Sequence, residues 1–96
     1  MQDEKQLQDR LMSIFVGKLP KIFVERVMVS DTIDSIGNEA VLITFVLTAQ
    51  GAAELTGDQT LDLLVDVQGE FMNKGDGRFP IVGYATEAEL DEKDAA

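Results

Sequence analysis

The sequence predicts an α+β fold: a two-layer sandwich in the order α-β-β-α-β, with a three-stranded sheet carrying two helices on one face. Three observations predict it. Apolar residues recur with helical spacing near the N-terminus and again after residue 57. Between them lie two stretches rich in β-branched and aromatic residues, 22–30 and 39–48. A third such stretch, 79–85, follows the second helical segment. The chain of 96 residues suits one domain, expected over residues 1–86, with an acidic C-terminal tail at 87–96.

The first helix is predicted over residues 3–16. Leu7, Leu11, Ile14 and Phe15 fall at i, i+4, i+7 and i+8 and share one face. Asp3 and Glu4 complement the N-terminal dipole, and Gly17 with Pro20 stops the helix. In the strand at 22–30, Phe23, Val27 and Val29 are expected on one face and Val24 and Met28 on the other. Glu25 and Arg26 interrupt it, so the strand is expected to be half covered. Residues 31–38 carry the Asp, Thr, Ser, Gly and Asn of a turn. The strand at 39–48 is apolar on both faces, as in a strand covered on both sides.

Residues 49–57 read as a connector. Thr56 with Gln59 then forms a capping box and opens a helix over 57–73. Its apolar arc is taken as Leu61, Leu64, Val65, Phe71 and Met72, with Gln68 in the middle. Gly75 and Gly77 end it. Pro80 places the last strand at an edge or at its own start. The crossover makes this strand parallel to the second, with a right-handed connection; its place is either paired with the second strand or antiparallel beside the first. Thr86 with Glu89 offers a cap for a final turn, against a frayed tail.

Acids number 18 and bases 8, for a formal net charge of −10. Such a charge repels phosphate backbones, which disfavours a nucleic-acid binder, and none is expected as partner. It attracts basic partners. There is no Cys and no His, so disulfides, thiolate metal sites and the usual Ser–His or Cys–His nucleophile pairs are excluded. The loop 31–39 fails as a calcium loop in either register, because Ile33 or Ile36 falls where an oxygen ligand belongs. No metal and no cofactor is expected. The α-β-β-α order resembles that of the KH nucleic-acid domain, but the GXXG loop is missing between the elements where it belongs, so no function follows from it. The first helix is too acidic for a membrane surface, and no apolar run is long enough to span a bilayer. A cytoplasmic protein is expected, and not an enzyme.

One feature stands out. Asp58, Asp62, Asp66 and Glu70 fall at four-residue intervals along the second predicted helix with no Lys or Arg between them. Like charges at this spacing cost about 0.2–0.5 kcal/mol per pair. The expected site is an electronegative docking face for a basic protein partner, made of Asp58, Asp62, Asp66 and Glu70 with Leu63 as an apolar anchor. The expected class is a binding module of inhibitor, antitoxin, immunity or chaperone type. The alternative is an assembly subunit, most simply a homodimer, that self-associates through an open sheet face using Leu42, Val46 and Phe79. A small carboxylate enzyme stands third.

Overall fold

The computed structural model describes residues 3–95, with side chains to residue 91. The elements are α1 (Glu4–Lys18), β1 (Val24–Ile33), β2 (Glu39–Leu47), α2 (Ala49–Glu54), α3 (Gly57–Asn73), β3 (Phe79–Thr86) and α4 (Glu87–Ala95). The three strands form one sheet in the order β1-β2-β3. β1 and β2 pair antiparallel, and β3 runs parallel to β2, as the crossover rule requires. The α+β class and the α-β-β-α-β order of the main elements are as the sequence predicts, with two short helices added.

Those additions have local causes. α2 occupies the expected connector: Thr48 caps it by accepting a hydrogen bond from the Gly51 N–H at 3.0 Å. Gly51 is there because a Cβ would stand 3.2 Å from the Ile22 side chain. α4 is the tail. Its N-terminus is closed reciprocally by Thr86 and Glu89: the Glu89 N–H donates to Thr86 Oγ1, and the Thr86 N–H donates to Glu89 Oε1.

The core lies between one sheet face and two helices. Leu7, Leu11 and Phe15 of α1 and Leu63, Val67 and Phe71 of α3 meet Val41, Ile43, Phe45 and Leu47 of β2. The Phe15 and Phe45 rings lie 5.0 Å apart, centroid to centroid. β1 departs from the expected alternation. A register shift between Val24 and Arg26 sets Glu25 out as an extra residue, so Val24 and Val27 both face the core. Phe23, expected to share the face of Val27, is exposed instead.

α3 begins on the predicted capping box. The Gln59 N–H donates to Thr56 Oγ1 and the Thr56 N–H to Gln59 Oε1. It ends in a Schellman motif, with the Asp76 N–H bonded to the Phe71 carbonyl and the Gly75 N–H to that of Met72. Gly75 adopts φ +67°, the left-handed position that glycine fills without strain. The helix is turned relative to the expected arc. Leu63, Val67, Glu70 and Phe71 are its buried residues, whereas Leu61, Val65 and Met72 are exposed. An uninterrupted apolar row at 63, 67 and 71 packs better on the sheet than an arc broken by Gln68.

Candidate functional site

Four faces of α3 follow from its 100° per residue. The row 63/67/71 faces the sheet. Asp66 and Glu70 face α1. Leu64 and Gln68 border β3. Asp58, Leu61, Asp62, Val65 and Met72 point away from the protein.

The acid stripe is therefore split, and only half of it is a free surface. Glu70 is buried and receives two hydrogen bonds from Arg10 of α1, Nε to Oε2 at 2.6 Å and Nη2 to Oε1 at 3.1 Å. Lys18, at the last turn of α1, stands 3.3 Å from Asp66. Glu70 is taken up in the joint between α1 and α3, and Asp66, still exposed, is paired with Lys18. Asp58 and Asp62 are exposed and make no ion pair among the described residues. Leu63 is fully buried in the core, so it is no surface anchor.

The residues expected to form an open sheet face also separate. Leu42 and Phe79 are exposed, at 41% and 55%. Val46 is completely buried. The register puts it between Arg26 and Ala85, and Arg26 reaches over from β1 to Glu87 at the start of α4, with Nη2 2.8 Å from Oε1. That bidentate contact holds the Glu87 carboxyl below its ordinary range and closes this end of the sheet face.

What sequence reasoning assigned to the core stands outside it. Leu61, Val65 and Met72 are 62%, 64% and 81% exposed, and they line one side of α3 with Asp58 and Asp62 along the margin. On the other margin, an open groove of about 480 Å³ runs between α3 and β3, lined among others by Leu61, Leu64, Gln68, Phe79 and Tyr84. The Tyr84 ring stacks 5.9 Å from Phe45, and its hydroxyl is buried without a hydrogen-bond partner among the described residues. Burial pushes the phenol up to about 12. The signal that would have found the exposed face was in the sequence: Leu63, Val67 and Phe71 at i, i+4 and i+8 make one complete apolar row, leaving Leu61, Val65 and Met72 as a second row that a single core contact cannot also bury.

A second polar cluster went unforeseen. Arg78, between α3 and β3, is buried; it donates from Nε and Nη2 to the two carboxylate oxygens of Asp76, at 3.0 and 2.6 Å, and from Nη1 to Asp31 at 2.6 Å. The Asp76 carboxyl, held by Arg78, lies at about 2, and the same contacts raise the Arg78 pKa. The fork is fully occupied by protein carboxylates, so it acts as a clamp between the α3–β3 turn and β1. Among the described residues, no group of three or more His, Cys, Asp or Glu gathers as a metal-holding cluster, and no helix is long and apolar enough to cross a membrane.

Comparison with protein families, with curated proteins and with solved structures finds no match to this chain.

Proposed function

We propose that the protein is a non-enzymatic binding module that docks the outward face of α3 onto a basic protein partner in the cytoplasm. The observation that carries the reading is the row Leu61, Val65 and Met72, exposed outside a core that is complete without it, and bordered by the exposed carboxylates of Asp58 and Asp62. Leu61 and Val65 stand one turn apart and Met72 two turns beyond on the same face, and apolar groups gathered on one surface mark interaction sites. A net charge of −10 steers a basic partner toward that face and repels an acidic one. The face differs from the one the acid spacing alone predicts: Asp58 and Asp62 remain in it, Asp66 and Glu70 do not.

The test is affinity capture with the full chain as bait at low salt. A basic protein should be retained by the wild type and lost from both Leu61→Asp/Val65→Asp and Asp58→Lys/Asp62→Lys. Retention of the same protein by both double variants would refute the reading.

A second reading has one observation in its favour. β3 is an edge strand whose residues 79–85 carry no charge, and Phe79 and Leu42 lie exposed on the sheet. Edges without charged guards are templates for strand pairing. On this reading the protein is an assembly subunit, and its self-association survives high salt. A docking complex with a basic partner dissociates as salt rises.

A further inference from the structure

The outward residues of α3 are not an irregular patch. Asp58, Leu61 and Val65 are spaced 3 and 4 residues apart, and the same alternation reaches Met72 through Gln68, the half-buried residue at the margin toward β3. Alternating steps of three and four average 3.5 residues, the period of a coiled-coil seam, in which every seam residue faces one partner helix. Leu61, Val65 and Met72 supply apolar knobs. Gly69 lies next to the seam, with nothing within 4 Å of where its Cβ would be; it leaves a low point where a second helix can approach. From residue 58 to residue 72 the seam runs roughly 21 Å, at 1.5 Å per residue. Among the described residues no element covers it: Leu61, Val65 and Met72 are each more than three-fifths exposed.

We propose that the occupant of this face is an amphipathic α-helix of a basic partner, packed along α3 with its own apolar seam against Leu61, Val65 and Met72. This rests on the binding-module reading above and names the element that is bound. Charge selects the partner. Asp58 sits at one end of the seam and Asp62 on its flank, both exposed and without an ion pair among the described residues. A partner helix with Lys or Arg at the facing positions neutralises them. A second copy of this chain does not: it brings another Asp58, another Asp62 and a further net charge of −10. An extended strand has a two-residue period and matches the 3–4 spacing nowhere.

The experiment uses a synthetic peptide as probe: about two and a half heptads, matching the 17 residues of α3, with Leu at the seam positions and Lys or Arg on the flanks. Two controls have the same composition in scrambled order and the same seam with Glu flanks. Binding to the full chain is followed by peptide fluorescence anisotropy, and the contact residues are mapped by amide chemical shifts. The basic helix should bind in the micromolar range and become helical. Its largest shifts should fall at residues 58–72 on the outward face. Val65→Asp should weaken it by roughly tenfold, as loss of a central contact does, and Asp62→Lys, which reverses a flanking charge, by about threefold at low salt, with the circular dichroism of the free variants unchanged.

Equal binding of the scrambled peptide would reduce the effect to general charge attraction and overturn the proposal. So would shifts centred on β3, tight binding of the Glu-flanked peptide, or a homodimer through α3. If the double variants of the capture experiment lose a basic protein while the helical probe fails to bind, the module reading stands and the helical occupant falls.

Discussion

At the scale of single residues, the Asp31–Arg78–Asp76 cluster is where charge acts on stability. Asp76 is almost fully buried by its side chain, as is Arg78, while Asp31 is largely exposed. Removing one partner of a buried ion pair leaves the other charge uncompensated, at about 3–5 kcal/mol; Asp31 still reaches Arg78, so Asp76→Asn should cost about 3 kcal/mol at neutral pH by denaturant unfolding. The sign of the pH dependence follows from Asp76 titrating at about 2 in the folded protein, against about 3.9 in an unfolded chain. The folded state binds fewer protons between those values, so the stabilisation is complete above pH ~4 and is lost as pH falls toward 2. The stability gap between wild type and Asp76→Asn should shrink over that window, and an unchanged gap would contradict the clamp. Tyr84 gives the opposite end of the scale. It is the one tyrosine, and there is no Trp, so phenolate absorbance reports it alone. The folded protein should ionise it near 12, and stability should decline as pH rises above about 10, because the unfolded chain gives up that proton first. A phenolate signal near 10 in protein that is still folded would show the ring to be hydrated.

At the scale of elements, α3 carries two apolar rows with different jobs, and mutation should separate them. Leu63→Ala removes a fully buried side chain and should cost about 2–5 kcal/mol. Leu61→Ala changes an exposed one and should stay within about 0.5 kcal/mol. Similar costs for both would mean that the helix is seated differently. Much of this element was legible beforehand. Its start at the Thr56–Gln59 box, its end before Gly75 and its span over residues 57–73 all follow from local chemistry, and local chemistry is written in short sequence stretches. Which way the helix faces is not local. It depends on α1 lying alongside, where Arg10 and Lys18 draw Glu70 and Asp66 inward, and those cations are 48 or more positions away in sequence. The acid stripe was real as a spacing, but half of it belongs to the joint between α1 and α3. The same distance hid the Arg26–Glu87 contact, made from the strand position opposite the buried Val46. The β1 face assignment failed for another reason: alternation assumes an unbroken pleat, and the extra residue at Glu25 reverses it. In β2 the period-two alternation holds, with Val41, Ile43, Phe45 and Leu47 together on the buried face, but the expected cover on both sides does not, since Leu42 is exposed.

At the scale of the whole molecule, ten excess negative charges act on every approach of another protein, and two exposed surfaces feel them differently. One is the row on α3, and another is the uncharged edge β3. They respond to ionic strength with opposite signs. Attraction between the acidic protein and a basic partner is screened, so the rate of association should fall steeply between low and physiological salt while dissociation changes little. Repulsion between two copies is screened as well, so any pairing through β3 should strengthen as salt rises. Stopped-flow association and sedimentation equilibrium, each measured across a salt series, separate the two; a partner association rate indifferent to salt would remove electrostatic steering from the account.

The parallel pairing of β2 with β3 also has a kinetic consequence. β1 and β2 are joined by a tight turn at residues 34–38, so that hairpin can zip early, in microseconds for such local structure. β3 cannot register on β2 until the intervening chain, residues 48–78, has wound into α2 and α3 and laid Leu63, Val67 and Phe71 down on the hairpin. Loop closure over that span precedes any reward from the strand ladder. Leu63→Ala should therefore slow refolding, whereas truncations within β3 should chiefly speed unfolding. Until β3 docks, the nascent hairpin presents an edge of β2 that is uncharged from Ala40 to Leu47, so variants that delay β3 should clump more readily during refolding.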